Sequence, residues 1–275
     1  RSRGLGDVYK RQEYTLSDML TQINISALNL TTWNELYTVI MNENINASEK
    51  EHQIHSYTKE FLNSQRLIVA IDIITYDGIT YRNSKNEITL PSNNHDFTDT
   101  IVSAKMAVYN KPILAEGEYY IAVGNKFQNF YTGFDIGYLI LYIPESNFYS
   151  IYQESLLKDS SFFILADDYI ISHSDKNMLG SRIFLPQELY EEKKLSVSRY
   201  SKNIIGKYHI RKPVLATDIS VIAMISGDSL YKVVTQMKLY VYFIFGIVLF
   251  IALVIAFLFT QRLLNQYTQF KRDMK

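Results

Sequence analysis

The 275-residue chain contains no cysteine. That excludes a disulfide framework, a thiolate metal site and a cysteine nucleophile. Net charge is also missing, with 28 basic side chains against 28 acidic ones. The balance is uneven, because residues 261–275 hold four basic groups and one acidic group, while residues 12–260 hold 20 basic and 26 acidic, a net of −6. An acidic domain is a poor binder of phosphate backbones, so no nucleic-acid partner is expected. Hydrolytic chemistry lacks its partners too. Gly227-Asp228-Ser229-Leu230 spells the nucleophile block of one hydrolase class, whose serine needs a histidine and a carboxylate from later in the chain, yet no histidine follows His209 and only Asp273 follows Asp228. The block reads instead as a turn before a helix. Gly206-Lys207 lacks the upstream glycine of a phosphate loop and is likewise a turn. His52 and His55 lie one helical turn apart with no further ligands nearby, which is the pattern of a solvated face. No catalytic residue, cofactor or metal is expected in these residues, and a membrane-tethered extracellular hydrolase working through Ser229 is the alternative of a different class.

What the sequence does have is one long apolar run, Leu239 to Phe259, without charge or proline and with Gly246 as its single glycine. At ~1.5 Å per residue a helix of this length spans the ~30 Å hydrocarbon core of a bilayer. Tyr240 and Tyr242 sit where aromatic rings favour the headgroup layer, and Arg262, Lys271, Arg272 and Lys275 follow the run, against Lys232 and Lys238 before it. The lipid bilayer is thus an expected partner, the C-terminus is expected in the cytoplasm, and residues 13–238 are expected outside it. The first twelve residues, RSRGLGDVYKRQ, carry four basic groups and no apolar periodicity. They resemble vector read-through, and an export element is expected upstream of Glu13.

From Leu16 the residues Leu16, Met19, Ile23, Leu30, Trp33, Tyr37 and Ile40 recur at three-four spacing, which predicts a helix with a narrow apolar stripe suited to packing against a partner helix. Ser48 with Glu51 predicts a capping box that opens a second helix to about Leu62. Residues 67–83 read as a hairpin turning at Tyr76-Asp77-Gly78. A short helix is expected from Asp96 to Tyr109, then strands over Pro112–Ala115, Tyr119–Lys126 and Tyr138–Ile143. This order implies an antiparallel sheet with helix on one face, an α+β layering. The second half repeats the first: residues 161–174 form a hairpin turning at Asp167 and Asp168, and VIAMISGDSLYKVV (221–234) echoes YLILYIPESNFYSIY (138–152).

On these residues a resemblance can be stated. IISHSDKNMLG (170–180), an aliphatic strand followed by a His, an Asp and a loop-closing Gly, resembles the signature of double Cache sensor domains, and the likeness covers Glu13 to about Val234. QYTQFKRDM (266–274) is similar to the opening of a HAMP linker through Tyr267, Phe270 and Met274, with Gln266 where that family usually has proline. The resemblance implies an α+β fold with a long N-terminal stalk helix at the head of stalk helices over 13–66, two PAS-like modules in tandem at 67–158 and 159–235, a transmembrane helix at 239–260 and a linker start at 261–275. It makes His173 and Asp175 loop-forming residues that bond backbone, with Gly180 in a glycine-only conformation. The overall order is most similar to bacterial sensor histidine kinases that act on a response regulator; a chemoreceptor or cyclic-dinucleotide enzyme such as a diguanylate cyclase is the alternative.

A ligand site is expected in the membrane-distal module, between the sheet and its helix and loop. Tyr76, Tyr81, Tyr109, Tyr120, Asn125 and Lys126 are its candidates, since aromatic walls with a few polar groups make a small-solute site. The aromatic-arginine cluster of amino-acid-binding double Cache domains is not found in residues 83–111. A carbohydrate, a small carboxylate or a ligand-loaded binding protein is the partner this leaves. Ala252 and Ala256, four apart in the membrane run, together with the stalk stripe point to a parallel homodimer.

Overall fold

The computed structural model describes residues 3–91, 95–129, 132–153, 160–184, 195–200, 203–210 and 217–273. Helix α1 spans Arg3–Thr31, α2 spans Asn34–Met41 and α3 spans Ala47–Ser64. The first helix therefore begins inside the stretch that reads as foreign, because a nucleated helix extends cheaply through residues that do not oppose it. It does not run unbroken to Ile40 as the periodicity predicts. The hydroxyls of Thr31 and Thr32 donate to the carbonyls of Leu28 and Asn29, and Trp33 turns extended at ψ 98° and packs edge-on against Tyr57 of α3. The cap of α3 also differs from expectation. Asn46, not Ser48, accepts the Glu49 N–H at 2.9 Å, so the helix starts two residues sooner.

The apolar stripe is buried within the chain rather than left for a partner. Leu16, Leu20, Ile23, Ala27 and Leu30 of α1, with Leu36 and Ile40 of α2, sit in one core with strand residues of both sheets. Leu20 and Ala27 widen the stripe to a face, which is why the chain's own sheets can satisfy it. Trp33 and Tyr37 are only partly buried at its edge.

Two antiparallel sheets carry the rest of the first compact unit. In the first, β1 (Ala70–Thr75) and β2 (Thr80–Ser84) form the predicted hairpin, with Gly78 at φ +87° in its turn. The helix expected over 96–109 is shorter: α4 spans His95–Ser103, and Val108–Tyr109 form a strand, β3. β-branched Val108 and aromatic Tyr109 suit the pleated sheet edge they join. β4 (Ile113–Ala115), β5 (Glu118–Gln128) and β6 (Asp135–Pro144) complete the order β2-β1-β6-β5-β3, with β4 also on β5. Helix α5, Glu145–Tyr149, follows β6 directly.

The second sheet contains β7 (Ser160–Ala166), β8 (Tyr169–His173), β9 (Leu195–Tyr200), β10 (Asn203–Ile210) and β11 (Ile219–Ser226) in the order β8-β7-β11-β10-β9. Strand for strand this is the order of the first sheet, so the internal echo in the sequence is a repeat of topology. The β7–β8 hairpin turns where expected, with Asp167 at φ +51°. The pair β9–β10 was not anticipated from the sequence. The fold is thus α+β, with two antiparallel sheets of matching strand order following the N-terminal helices.

The second compact unit is α6, Gly227–Asp273, which contains Thr235–Arg262, long and apolar enough to cross a membrane. Gly227 to Leu230 lie in its first turn. Met274 of the HAMP-like motif lies outside the described residues.

Candidate functional site

Side-chain alternation gives the membrane-distal sheet two different faces. On one, Ile71, Ile73, Ile121, Val123 and Leu141 meet the N-terminal helices. On the other, Ala70, Tyr120, Ala122, Ile140 and Tyr142 meet Ile88, Leu90 and α4 through Phe97 and Ile101. The approach of α4 depends on Gly124, where a Cβ would lie 2.3 Å from Cδ1 of Ile101 and 2.9 Å from Cζ of Phe97. The α4 face is the place between sheet, helix and loop where the sequence puts a ligand site.

The six candidate residues divide between the two faces. Tyr120 is buried on the α4 side, and its hydroxyl donates to Glu118 Oε2 at 3.3 Å. Burial, and after it the charge of Glu118, raises its pKa above the ordinary tyrosine value. Tyr76 stands at the hairpin turn, exposed, with its ring edge-on to Tyr138 at 5.3 Å. Lys126 pairs in register with Tyr138. Tyr81 and Tyr109 belong to the opposite core, and Asn125 follows Gly124 on that same opposite side of the strand. The structure thus brings Tyr76 and Tyr120 to the face of α4 but separates Tyr81, Tyr109 and Asn125 from it. Tyr109 is fully buried, its hydroxyl has no partner among the described residues, and burial pushes its pKa well above the ordinary value.

The polar centre of the α4 face is a cluster the sequence reading missed. Asp72 is inaccessible to solvent and accepts from Arg82 Nε at 2.7 Å, from Arg82 Nη2 at 2.6 Å and from the Tyr142 hydroxyl at 2.8 Å. Arg82 also donates from Nη1 to the Leu90 carbonyl at 2.6 Å, so its planar fork ties the sheet to the segment that leads into α4. Its hydrogen bonds to Asp72 hold the guanidinium pKa above its usual value even against burial. A signal was present: Asp72 is the only charge in LIVAIDIITY, and the tight turn at Asp77-Gly78 sets it opposite Arg82.

On the other face a groove of about 570 Å³ opens between α1, residues 104–107 and the end of β5. Asn125 and Lys126 line it with Ile25, Leu28, Lys105 and Met106.

The two modules meet through a second polar cluster. Glu145 of α5 is buried, accepts from Ser172 Oγ at 2.6 Å and from the His173 amide at 3.3 Å, and pairs with Lys176. Ser172 in turn meets the Tyr152 hydroxyl at 2.9 Å. His173 and Asp175 bond backbone as the resemblance implies: Asp175 N–H donates to His173 Nδ1 at 2.9 Å, Asp175 Oδ1 accepts from Asn177 N–H at 3.1 Å, and Gly180 adopts φ +74°. His52 and His55 are exposed, and no group of three or more metal-ligating side chains occurs among the described residues.

No protein-family model and no curated protein matches the sequence. Solved structures do match it. The ligand-binding domain of the Pseudomonas aeruginosa PAO1 amino-acid chemoreceptor PctB, in complex with L-Arg, is 13% identical with a TM-score of 0.61, covering 86% of this chain and 92% of its own. That of the Pseudomonas fluorescens chemoreceptor CtaA with L-alanine is 12% identical with a TM-score of 0.58, covering 82% and 97%. That of Campylobacter jejuni Tlp3 with L-norvaline is 13% identical at 0.52, covering 81% and 89%. The likeness is one of fold.

Proposed function

We propose that this chain is the extracytoplasmic and membrane-spanning part of a bacterial signal-transduction receptor that senses a small solute. The observation that carries this reading is the order of parts: a tandem double-sheet fold shared with ligand-binding domains of chemoreceptors, followed in sequence by a helix long and apolar enough to span a bilayer. The output is a sensor histidine kinase acting on a response regulator, a reading supported by the HAMP-like spacing of Tyr267, Phe270 and Met274. No catalytic step is assigned to these residues, and the basic cluster after Phe259 favours a cytoplasmic C-terminus.

The solute site is assigned to the α4 face of the distal sheet, where Tyr120 and Tyr76 stand. The similar chemoreceptor domains are complexes with L-Arg, L-alanine and L-norvaline. In this chain the buried acid that would take a ligand ammonium, Asp72, is already saturated by Arg82 and Tyr142, which favours a carbohydrate or small carboxylate instead. Thermal shift of the full chain in nanodiscs against sugars, carboxylates and amino acids tests this. A ligand at 100 times its Kd adds ~2.7 kcal/mol, and Tyr120→Ala should abolish the shift. A panel without a hit, or a hit indifferent to Tyr120→Ala, speaks against the site. Alkaline phosphatase activity from a fusion after Lys275 would reverse the topology.

A further inference from the structure

We propose that the groove between α1 and residues 104–107 is a second binding site, for an aliphatic monocarboxylate whose chain lies along α1 and whose carboxylate meets Lys105 and Asn125. This goes beyond the sensor reading and does not depend on it. Its volume of about 570 Å³ falls within the ~300–1,000 Å³ of small-molecule sites. The wall is apolar where a chain would lie: Ile25 and Leu28 on α1 and Met106 opposite are each more than two-fifths exposed, although large apolar side chains gain by burial.

The polar lining is divided in a way that selects the charge of the ligand. The side chains that α1 contributes are committed to its own backbone: Thr21 donates to the Ser17 carbonyl at 2.7 Å, Asn24 to Leu20 at 2.8 Å and Thr31 to Leu28 at 2.9 Å for their respective oxygens. Gln128 donates to the Gly133 carbonyl at 2.7 Å. What remains for a ligand is cationic or donating. Lys105 lines the groove, no carboxylate lines it, and among the described residues Lys105 belongs to no ion pair; Lys126 also borders it, at a strand position whose side chain alternates to the α4 side. The amide nitrogen of Asn125 has no partner among the described residues, and its terminal torsion is soft enough to turn the donor toward an arriving oxygen. An apolar wall beside the Lys105 ammonium and an orphan amide is complementary to a chain ending in one negative charge. A sugar would leave the wall uncovered, and an amino acid would bring its ammonium to the Lys105 ammonium.

The test titrates hexanoate, heptanoate and octanoate into the full chain in nanodiscs, followed by saturation-transfer NMR with empty nanodiscs as the blank. Affinity should rise about fourfold per methylene, the ~0.8 kcal/mol of a buried CH₂ expressed as a ratio. Octanoate should bind at least about fivefold more tightly than 1-octanol, and the exposed-site variant Lys105→Glu should remove that advantage without changing 1-octanol binding. Leu28→Gln, an exposed helix position, should weaken both. A signal no larger than that of empty nanodiscs, equal binding of acid and alcohol, or indifference to both variants would overturn the proposal. So would loss of self-association in Leu28→Gln with octanoate binding unchanged, since a second copy would then cover the groove. A solute-panel hit lost in Tyr120→Ala, without octanoate binding, removes the groove and keeps the sensor; octanoate binding without a panel hit does the reverse.

Discussion

Ser172 donates a 2.6 Å hydrogen bond to the carboxylate of Glu145, and the two residues belong to different sheet modules. Lys176 completes the charge pair, but it is half exposed while Glu145 is buried. The two sides of the pair should therefore differ. Lys176→Met strands a buried carboxylate and should cost about 3 kcal/mol, whereas Glu145→Gln keeps an acceptor for Ser172 and should cost about 1–2 kcal/mol. Urea unfolding of the two variants measures this, and equal losses would contradict the burial asymmetry.

A similar asymmetry is expected at Asp72 and Arg82. Asp72 has no solvent access, so Arg82→Met leaves its charge without a counterion and should destabilise the domain by about 3–5 kcal/mol. Asp72→Asn in that background should recover part of the loss. A double-mutant cycle from denaturant midpoints gives the coupling, and additive losses would show that the pair does not act as one.

Gly124→Ala puts a methyl where Ile101 now lies, so α4 must shift outward. The expected loss is about 1–3 kcal/mol. Ile101→Ala in the same chain removes the clashing Cδ1 and Cγ1 atoms, and the double variant should then lose less than the two single losses combined. Strict additivity of the melting shifts would mean that α4 does not rest on this contact.

Alkaline sensitivity follows from the buried tyrosines. Burial raises the pKa of both Tyr109 and Tyr152, so folding favours their neutral forms. That stability is fully present below the unfolded tyrosine value of about 10 and is lost as pH rises above it. Tyr109→Phe should flatten the loss above that pH and, by removing an orphan hydroxyl, add about 1 kcal/mol at neutral pH. Melting curves of both proteins between neutral and alkaline pH decide it; parallel curves would place the alkaline transition elsewhere.

Since the stalk stripe is filled by the chain's own core, the expectation of a homodimer rests on Ala252 and Ala256 alone. Single cysteines at 252–257 of this cysteine-free chain should crosslink with helical period, strongest at the two alanine positions. A flat profile would describe a monomeric tether.

The elements most legible in the sequence were those whose cause is local. The Asp77-Gly78 turn, the repeat of strand and helix around Ile143 and Ile225, and the apolar run from Leu239 each announce themselves within a few residues. What escaped was set by distance. Val108 and Tyr109 continue the helical spacing of the residues before them, yet pairing with Gly124 and Val123 makes them a strand. Asn125 and Lys126 are adjacent in sequence, so no list of plausible residue types could show that a strand sends neighbours to opposite sides. The stripe on α1 is wider than positions 16, 19, 23 and 30 alone suggest, because Leu20 and Ala27, four residues after Leu16 and Ile23, are buried with it. β9 and β10 carry alternation over 195–210, but no tight-turn dipeptide joins them, so their hairpin went unread.

In both sheets the last strand lies in the middle: β6 between β1 and β5, β11 between β7 and β10. Each then hands the chain to a helix, α5 after β6 and the membrane-length α6 after β11. A strand at the margin of a sheet can be peeled away one hydrogen bond at a time. A central one is held along both flanks, so β11 can leave its sheet only by giving up two ladders at once. The membrane-length helix therefore continues, in sequence, from a strand held along both of its flanks.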